Sequence, residues 1–363
     1  ELRTDLIQGG REQAVVERTL ADVRYLERIV TLDRSQPEDL QHFSDYLAHR
    51  VNAARVRRGQ EMLDTYGELF WQIYADYGVS PRYLLALWGM ETNYGAYFGR
   101  VPIVDAMTTL VCDGRRADFF RNQLDATIEL LEQRRIATDQ LYGSWAGALG
   151  HTQFMPTTIR SYAVDYDDSG RLDLRDSAAD ALASAANYLR SLGWEPGQRW
   201  GREVRLDERF DFRFFGLEHR LPVNEWQALG VRRADGSQLP DSEIEASLLL
   251  PMGRNGPAFL VYDNFRKFLR WNASESFALA VGHLADRLDG QPPLRASAPA
   301  PDQLLKRDEV RQVQRILNAL GYDSGTADGV IGRHTRQAVR DYQQAHDLPA
   351  DGFPDRDLYN RLK

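Results

Sequence analysis

The stretch LLALWGMETNYG, residues 84–95, constrains the fold of this chain more than any other. Leu84, Leu85, Ala86, Leu87, Trp88 and Met90 cover every side of a helix, so the segment must be surrounded by protein rather than laid on a surface. Ser80-Pro81 starts this helix, with Ser80 at the N-cap and Pro81 in the first turn. One carboxylate, Glu91, closes the apolar run, and Thr92, Asn93, Tyr94 and Gly95 break it. A carboxyl group at the end of a buried helix is costly to ionise, which suits it to donate a proton near neutral pH. An ion pair with one of the chain's arginines is the plainer explanation of a single Glu in a helix.

At 363 residues the chain has room for two or three domains, and 43% hydrophobic with 10% aromatic residues describes a globular protein. A net charge of −8 and a pI near 5.5 argue against general nucleic-acid binding. Local basic clusters at Arg55, Arg57, Arg58 and at Arg115, Arg116 suit an anionic polymer. The single cysteine, Cys112, excludes an intramolecular disulfide, and no Cys/His pairing has metal-site spacing. No run approaches the ~20 apolar residues of a membrane span. The chain starts at Glu1 rather than Met, which suggests a removed or omitted leader, and a lipid anchor on such a leader stays open.

In order along the chain, residues 1–80 carry helical periodicities, with Phe43, Tyr46, Leu47 and Val51 forming one face and Leu69, Phe70, Ile73 and Tyr74 another. The segment GSWAGALGHTQFMP, residues 143–156, mixes small residues that allow close backbone approach with the polar Ser144, His151 and Gln153. A helix–helix packing seam and a binding site explain it equally well. Residues 194–260 turn to short strands and loops, marked by Val204, Leu206, Phe210, Phe212, Phe214, Phe215 and the run 248–250. Helix returns over 268–280. Residues 290–302, GQPPLRASAPAPD, read as an interdomain linker, and 303–363 as a small separate domain expected to bind rather than catalyse. Two echoes in it, Thr326-Ala327-Asp328-Gly329 and Pro349-Ala350-Asp351-Gly352, each precede a helix-like segment.

The sharpest spacing lies in DYDDSGRLDLRD, residues 165–176. Asp165, Asp167 and Ser169 fall at loop positions one, three and five, Gly170 at the turn, Arg171 at seven and Asp173 at nine, as in an EF-hand calcium loop. Position twelve is Asp176 instead of the usual Glu, so Asp180 on the following helix is an alternative last ligand. A structural calcium is favoured over a plain Asp/Gly turn, with a stabilising role and no part in chemistry.

Taken together, WGMETNYG (88–95), GRRADFF (114–120), SWAGALGHTQFMP (144–156), AVDYDDSG (163–170), ANYL (186–189) and RWNAS (270–274) resemble the family-3 peptidoglycan lytic transglycosylases, the membrane-bound lytic transglycosylase B type. The tail resembles the three-helix peptidoglycan-binding domain of wall hydrolases. The resemblance implies a mainly α (α+β) chain with a lysozyme-like core over about 75–195 and 258–289 and a mixed subdomain over about 196–257, together forming a catalytic region at 1–289. It implies Glu91 as the single catalytic acid/base, needing no cofactor, on the bond between N-acetylmuramic acid and N-acetylglucosamine, with a 1,6-anhydro product. It places Ser144 and Asn272 near the acid, Gln153 and Tyr188 along the cleft, Arg115 and Arg116 on lactyl or peptide carboxylates, Tyr46 as a sugar-facing aromatic and Trp271 in the substrate-binding cleft wall. His151-Thr152 stands where the family commonly has Tyr-Gly, and Trp271 where it often has Tyr. Glycan strands and stem peptides are the implied partners, cell-wall synthases further ones, and the periplasm the implied compartment. A muramidase using water, or a non-catalytic wall-binding scaffold, are the alternatives.

Overall fold

The computed structural model describes residues 1–35 and 41–363. In chain order come α1 (Leu2–Gln8), α2 (Gln13–Thr19), α3 (Glu27–Ser35), α4 (Phe43–Arg50), α5 (Ala53–Tyr77) and α6 (Pro81–Thr92). Strand β1 (Val101–Pro102) leads into α7 (Ile103–Asp113) and α8 (Ala117–Glu132), and β2 (Tyr142–Gly143) pairs back on β1. Next are α9 (Pro156–Tyr162), α10 (Ala178–Ser191), β3 (Gly201–Leu206), β4 (Leu221–Pro222), α11 (Val223–Ala228), β5 (Val231–Arg233), β6 (Glu245–Leu249) and β7 (Ala258–Val261). The chain continues with α12 (Asp263–Trp271), α13 (Glu275–Leu288), α14 (Arg307–Ala319), α15 (Arg333–Ala345) and α16 (Arg356–Leu362). Two compact units result. One holds the described residues of Glu1–Pro37 with Arg50–Gly197 and His283–Gly290; the other holds those of Glu38–His49 with Gln198–Gly282 and Gln291–Lys363.

In the first unit α6 is enclosed as its sequence requires: Leu84, Ala86 and Leu87 have no exposed surface and Trp88 is 2% exposed. Pro81 occupies the first helical position, but Ser80 makes no side-chain capping bond. The 25-residue α5 packs along α6 and α10 and departs from helical geometry at Tyr66, whose ring meets Trp88 edge-on. Tyr94 fixes the distance between α5 and α6. Its ring fills the space where side chains would stand on Gly59 and Gly89, either of whose Cβ atoms would come within 2.7 Å of it. Asn93 and Tyr94 both adopt left-handed backbone, and their N–H groups return to the carbonyls of Gly89 and Trp88, closing the helix.

In the second unit a five-stranded antiparallel sheet runs in the order β4-β6-β7-β3-β5. Val204 faces Ala258 and Arg233 in its two ladders, and Ser247 faces Val261. The core on this sheet joins Trp226, Val231, Leu248 and Leu260 with Phe210 and Phe215. Phe212 and Phe214 lie in a 3₁₀ turn rather than in a strand. The central strand β7 lies at the end of the 194–260 stretch read as short strands and loops.

The tail forms three helices around Val313, Leu317, Val339, Tyr342 and Leu358. Its two Asp-Gly echoes have matching structural causes. Gln314 of α14 donates to Asp328 and accepts from Gly329 N–H; Gln343 of α15 donates to Asp351 and accepts from Gly352 N–H. Both glutamines are buried, so each fixes a loop that would otherwise leave backbone groups unsatisfied. The 290–302 segment has no helix or strand, yet the N–H groups of Arg295 and Ala296 both donate to the Glu203 carboxylate on β3.

Candidate active site

Glu91 sits in the last turn of α6 and is half-buried, so the full burial suggested by its apolar neighbours is not reached. The apolar run ends at that turn, and the left-handed Asn93 carries the chain out of the core immediately afterwards. The turn itself is held from outside the helix by His151. Trp88 Nε1 donates to His151 Nδ1 at 2.8 Å, and Thr92 Oγ1 donates to the His151 carbonyl at 2.8 Å. Thr92 Oγ1 also accepts from Gly95 N–H at 3.1 Å. Trp88 and Thr92 flank Glu91, so one residue of the 143–156 segment fixes both sides of the carboxylate's turn.

Burial, partly offset by the Asp173 charge, pushes the His151 imidazole down to about 4. The ring is therefore neutral over ordinary pH, and its Nδ1 is the acceptor the indole requires. Phe98 packs edge-on against it at 4.7 Å. The importance of His151 is the main feature the sequence left unassigned; its signal was the departure from the common Tyr-Gly pair.

The 143–156 segment is a loop rather than a helix–helix seam. Ser144 N–H donates to the Ala148 carbonyl, Ser144 Oγ accepts from Ala148 N–H, and Leu149 bridges Phe154. Gly150 has left-handed backbone directly against the Leu174 carbonyl, 2.3 Å from where a Cβ would stand, which leaves room for no other residue. Gln153 is left-handed and spends both side-chain N–H groups on the carbonyls of Phe98 and Gly150, at 3.3 and 2.9 Å. Its amide oxygen is the end left to meet a ligand. Tyr188 of α10 stacks edge-on with Phe154 and lies 4.8 Å from the Tyr162 ring. Ser144 and Gln153 thus lie in the loop whose His151 holds the Glu91 turn, and Tyr188 packs on Phe154 of the same loop.

Arg115 and Arg116 are engaged with a partner the sequence did not reveal, Asp33 of α3, which is 1% exposed. Arg115 donates to Asp33 Oδ2 at 2.6 Å and to its carbonyl at 2.8 Å, and Arg116 pairs with Oδ1. Burial alone would push the Asp33 carboxyl up, but these two arginines hold it below the usual carboxylate range. The plainer ion-pair explanation therefore accounts for much of this pair's hydrogen bonding. Tyr46, Trp271 and Asn272 lie in the second unit, on α4, at the end of α12 and at its C-cap. Asn272 is exposed and its Oδ1 accepts from Ser274 N–H at 3.1 Å.

In the acidic loop, carboxylate oxygens of Asp165, Asp167 and Asp180 lie within 4.8 Å of one another. Asp180 is fully buried and accepts from the N–H groups of Tyr166, Asp167 and Asp173. Its carboxyl is pushed up by burial, an effect the three N–H bonds oppose and the Asp167 charge reinforces. Ser169 Oγ donates to the Arg171 carbonyl at 3.1 Å. Asp173 Oδ1 accepts from the N–H groups of Arg175 and Asp176, and Asp180 is the third carboxylate of the cluster.

Comparison with known proteins gives this geometry a family. The sequence matches the family model described as Transglycosylase SLT domain over residues 1–286, and a peptidoglycan binding domain model over 306–362. It is 31% identical over 228 residues to membrane-bound lytic murein transglycosylase B of Escherichia coli, a match covering 60% of this chain and 62% of that protein. Among solved structures it resembles SltB3 of Pseudomonas aeruginosa bound to NAG-anhNAM-pentapeptide, at 42% identity and a TM-score of 0.93, covering 99% of this chain and 97% of that one. It also resembles Escherichia coli Slt35 in complex with calcium, at 26% identity and a TM-score of 0.69, covering 79% of this chain and 91% of that one. With a family match spanning most of its length and a lysozyme-like fold to go with it, the chain belongs to the SLT-domain transglycosylases.

Proposed function

We propose that this protein is a peptidoglycan lytic transglycosylase with Glu91 as its single acid/base. The observation that carries the reading is the turn around Glu91, held at Trp88 and Thr92 by His151 while the carboxylate itself stays half-buried. Glu91, protonated, donates to the glycosidic oxygen between N-acetylmuramic acid and N-acetylglucosamine, and the C–O bond breaks with oxocarbenium character. The Glu91 carboxylate then takes the proton of the muramoyl 6-hydroxyl, whose oxygen closes on the anomeric carbon. The proton borrowed in the first step is thereby replaced, and the product is a 1,6-anhydro sugar. Ser144, Gln153, Tyr188 and Asn272 serve the glycan, and donors of Arg115 and Arg116 beyond those held by Asp33 serve its carboxylates. The crystal structures of SltB3 with NAG-anhNAM-pentapeptide and NAG-NAM-pentapeptide support glycan and stem peptide as the ligand class. Among the described residues no helix is long and apolar enough to cross a membrane. A wall substrate supports a location outside the cytoplasm, in the periplasm. Glu91→Gln is expected to bind purified sacculi and release no 1,6-anhydro products; release at the parent rate would end the assignment.

The acidic loop is assigned to calcium. Three clustered carboxylates repel one another without a cation, and alternating hard oxygens suit this ion. Asp165, Asp167 and Asp180, with oxygens of Ser169 and Arg171, are the groups that would hold it. Calcium would brace the loop against α10 and supply no chemistry. The Slt35 complex with calcium supports this assignment.

A further inference from the structure

Within the second unit, the tail does not hang from its linker. Arg336 of α15 donates to the Pro251 carbonyl at 2.6 Å, Arg254 N–H donates to Asp351 at 2.9 Å, and the Arg340 guanidinium lies 4.0 Å from the Phe215 ring centre. His42, just before α4, meets the Leu305 carbonyl at 3.2 Å. These contacts border a half-open cavity of about 1110 Å3 between the tail, the edge of the curled sheet, α4 and the start of α13. That exceeds the roughly 300–1,000 Å3 of small-molecule sites and suits a short peptide.

The lining is strongly cationic. Arg266, Lys306, Arg307, Arg333, Arg336 and Arg340 face it, against the two carboxylates Glu218 and Glu275. Arg340 has Glu218 at 3.5 Å, and Arg336 donates to the Leu250 and Pro251 carbonyls while feeling the charges of Glu275 and Asp351. Arg307 donates to the Asp328 carbonyl, without neutralisation, and Arg333 is exposed and enters no ion pair among the described residues. The Nε of Arg340 is buried without a hydrogen-bond partner. Tyr46, Ala273 and Ser274, the last two of the RWNAS segment, also line it.

We propose that this cavity is a stem-peptide subsite, in which the carboxylates of a peptidoglycan peptide are met by arginines of the tail. The inference rests on the peptidoglycan reading above and makes the tail one wall of a composite site instead of an independent tether. Each carboxylate gains charge-assisted bonds from Arg307 or Arg333, and the apolar stems of those side chains cover the peptide backbone.

The test uses the full chain carrying Glu91→Gln, so that ligand is not consumed. Calorimetry compares a disaccharide-pentapeptide with the same disaccharide lacking peptide. The pentapeptide is expected to bind about tenfold tighter, and Arg307→Ala with Arg333→Ala to bring that ratio close to one. The Lys pair at the same positions is expected to restore most of it, which separates charge from folding. A ratio unchanged by the Ala pair, or no ratio in the parent, would overturn the subsite. Failure of the activity reading is distinguishable, because it appears as absence of anhydro product from the chain with Glu91 intact.

Discussion

At the residue scale the turn that carries Glu91 depends on a histidine, His151. His151 accepts the Trp88 indole N–H only while Nδ1 is unprotonated, and burial keeps the ring neutral down to about pH 4. The unfolded chain binds that proton near pH 6.5, so stability from this group is complete above pH 6.5. It is lost as pH falls toward 4, a change on the order of 3 kcal/mol. His283, also pushed down to about 4 by burial and the Arg287 charge, adds a second contribution of the same sign. His151→Gln is therefore expected to flatten, without abolishing, the decline in melting temperature between pH 6.5 and 4, and to lower kcat at neutral pH by loosening the Glu91 turn. An unchanged slope would show that the ring carries no such coupling. Glu91 was legible from sequence because an acid after an all-apolar helix is conspicuous. Asp33 was not legible, because its partners Arg115 and Arg116 lie 82 and 83 positions away and nothing local marks the pairing.

At the scale of elements, α6 followed its sequence closely because hydrophobicity on every side leaves a helix only one place to go. The 143–156 segment did not resolve in the sequence, since small residues serve packing seams and tight loops alike. Its loop form depends on left-handed positions at Gly147, Gly150 and Gln153, and a glutamine gives no such signal. The clustering of Asp165, Asp167 and Asp180 was legible through their spacing and the turn glycine. For this element calcium at a hundredfold excess over its dissociation constant is expected to stabilise the protein by about 2.7 kcal/mol. A thermal melt with and without the ion reads this directly. Asp165→Asn, which keeps an acceptor and removes a charge, is expected to abolish most of the rise. A parent melt indifferent to calcium would refute the assignment.

At the scale of the whole molecule, the composition of 290–302 correctly signalled a stretch without helix or strand but gave no sign that its backbone is anchored. The two N–H groups of Arg295 and Ala296 on Glu203 depend on a strand far away in sequence, which Pro, Ala and Ser content does not encode. Glu203→Ala is expected to speed tryptic cleavage after Arg295 several-fold while leaving the melting temperature nearly unchanged, because a local opening and not global unfolding exposes the bond. The mixed layer was legible as short strands over 194–260, and its central strand β7, Ala258–Val261, closes that stretch. Whether one carboxylate acts first as acid and then as base on the sugar's own 6-hydroxyl is read from the mass of the products released from purified glycan strands. Muropeptides one water lighter than hydrolysis gives are expected, absent when Glu91→Gln replaces the parent. Products of hydrolytic mass, or anhydro products that persist in that variant, would contradict the proposed mechanism.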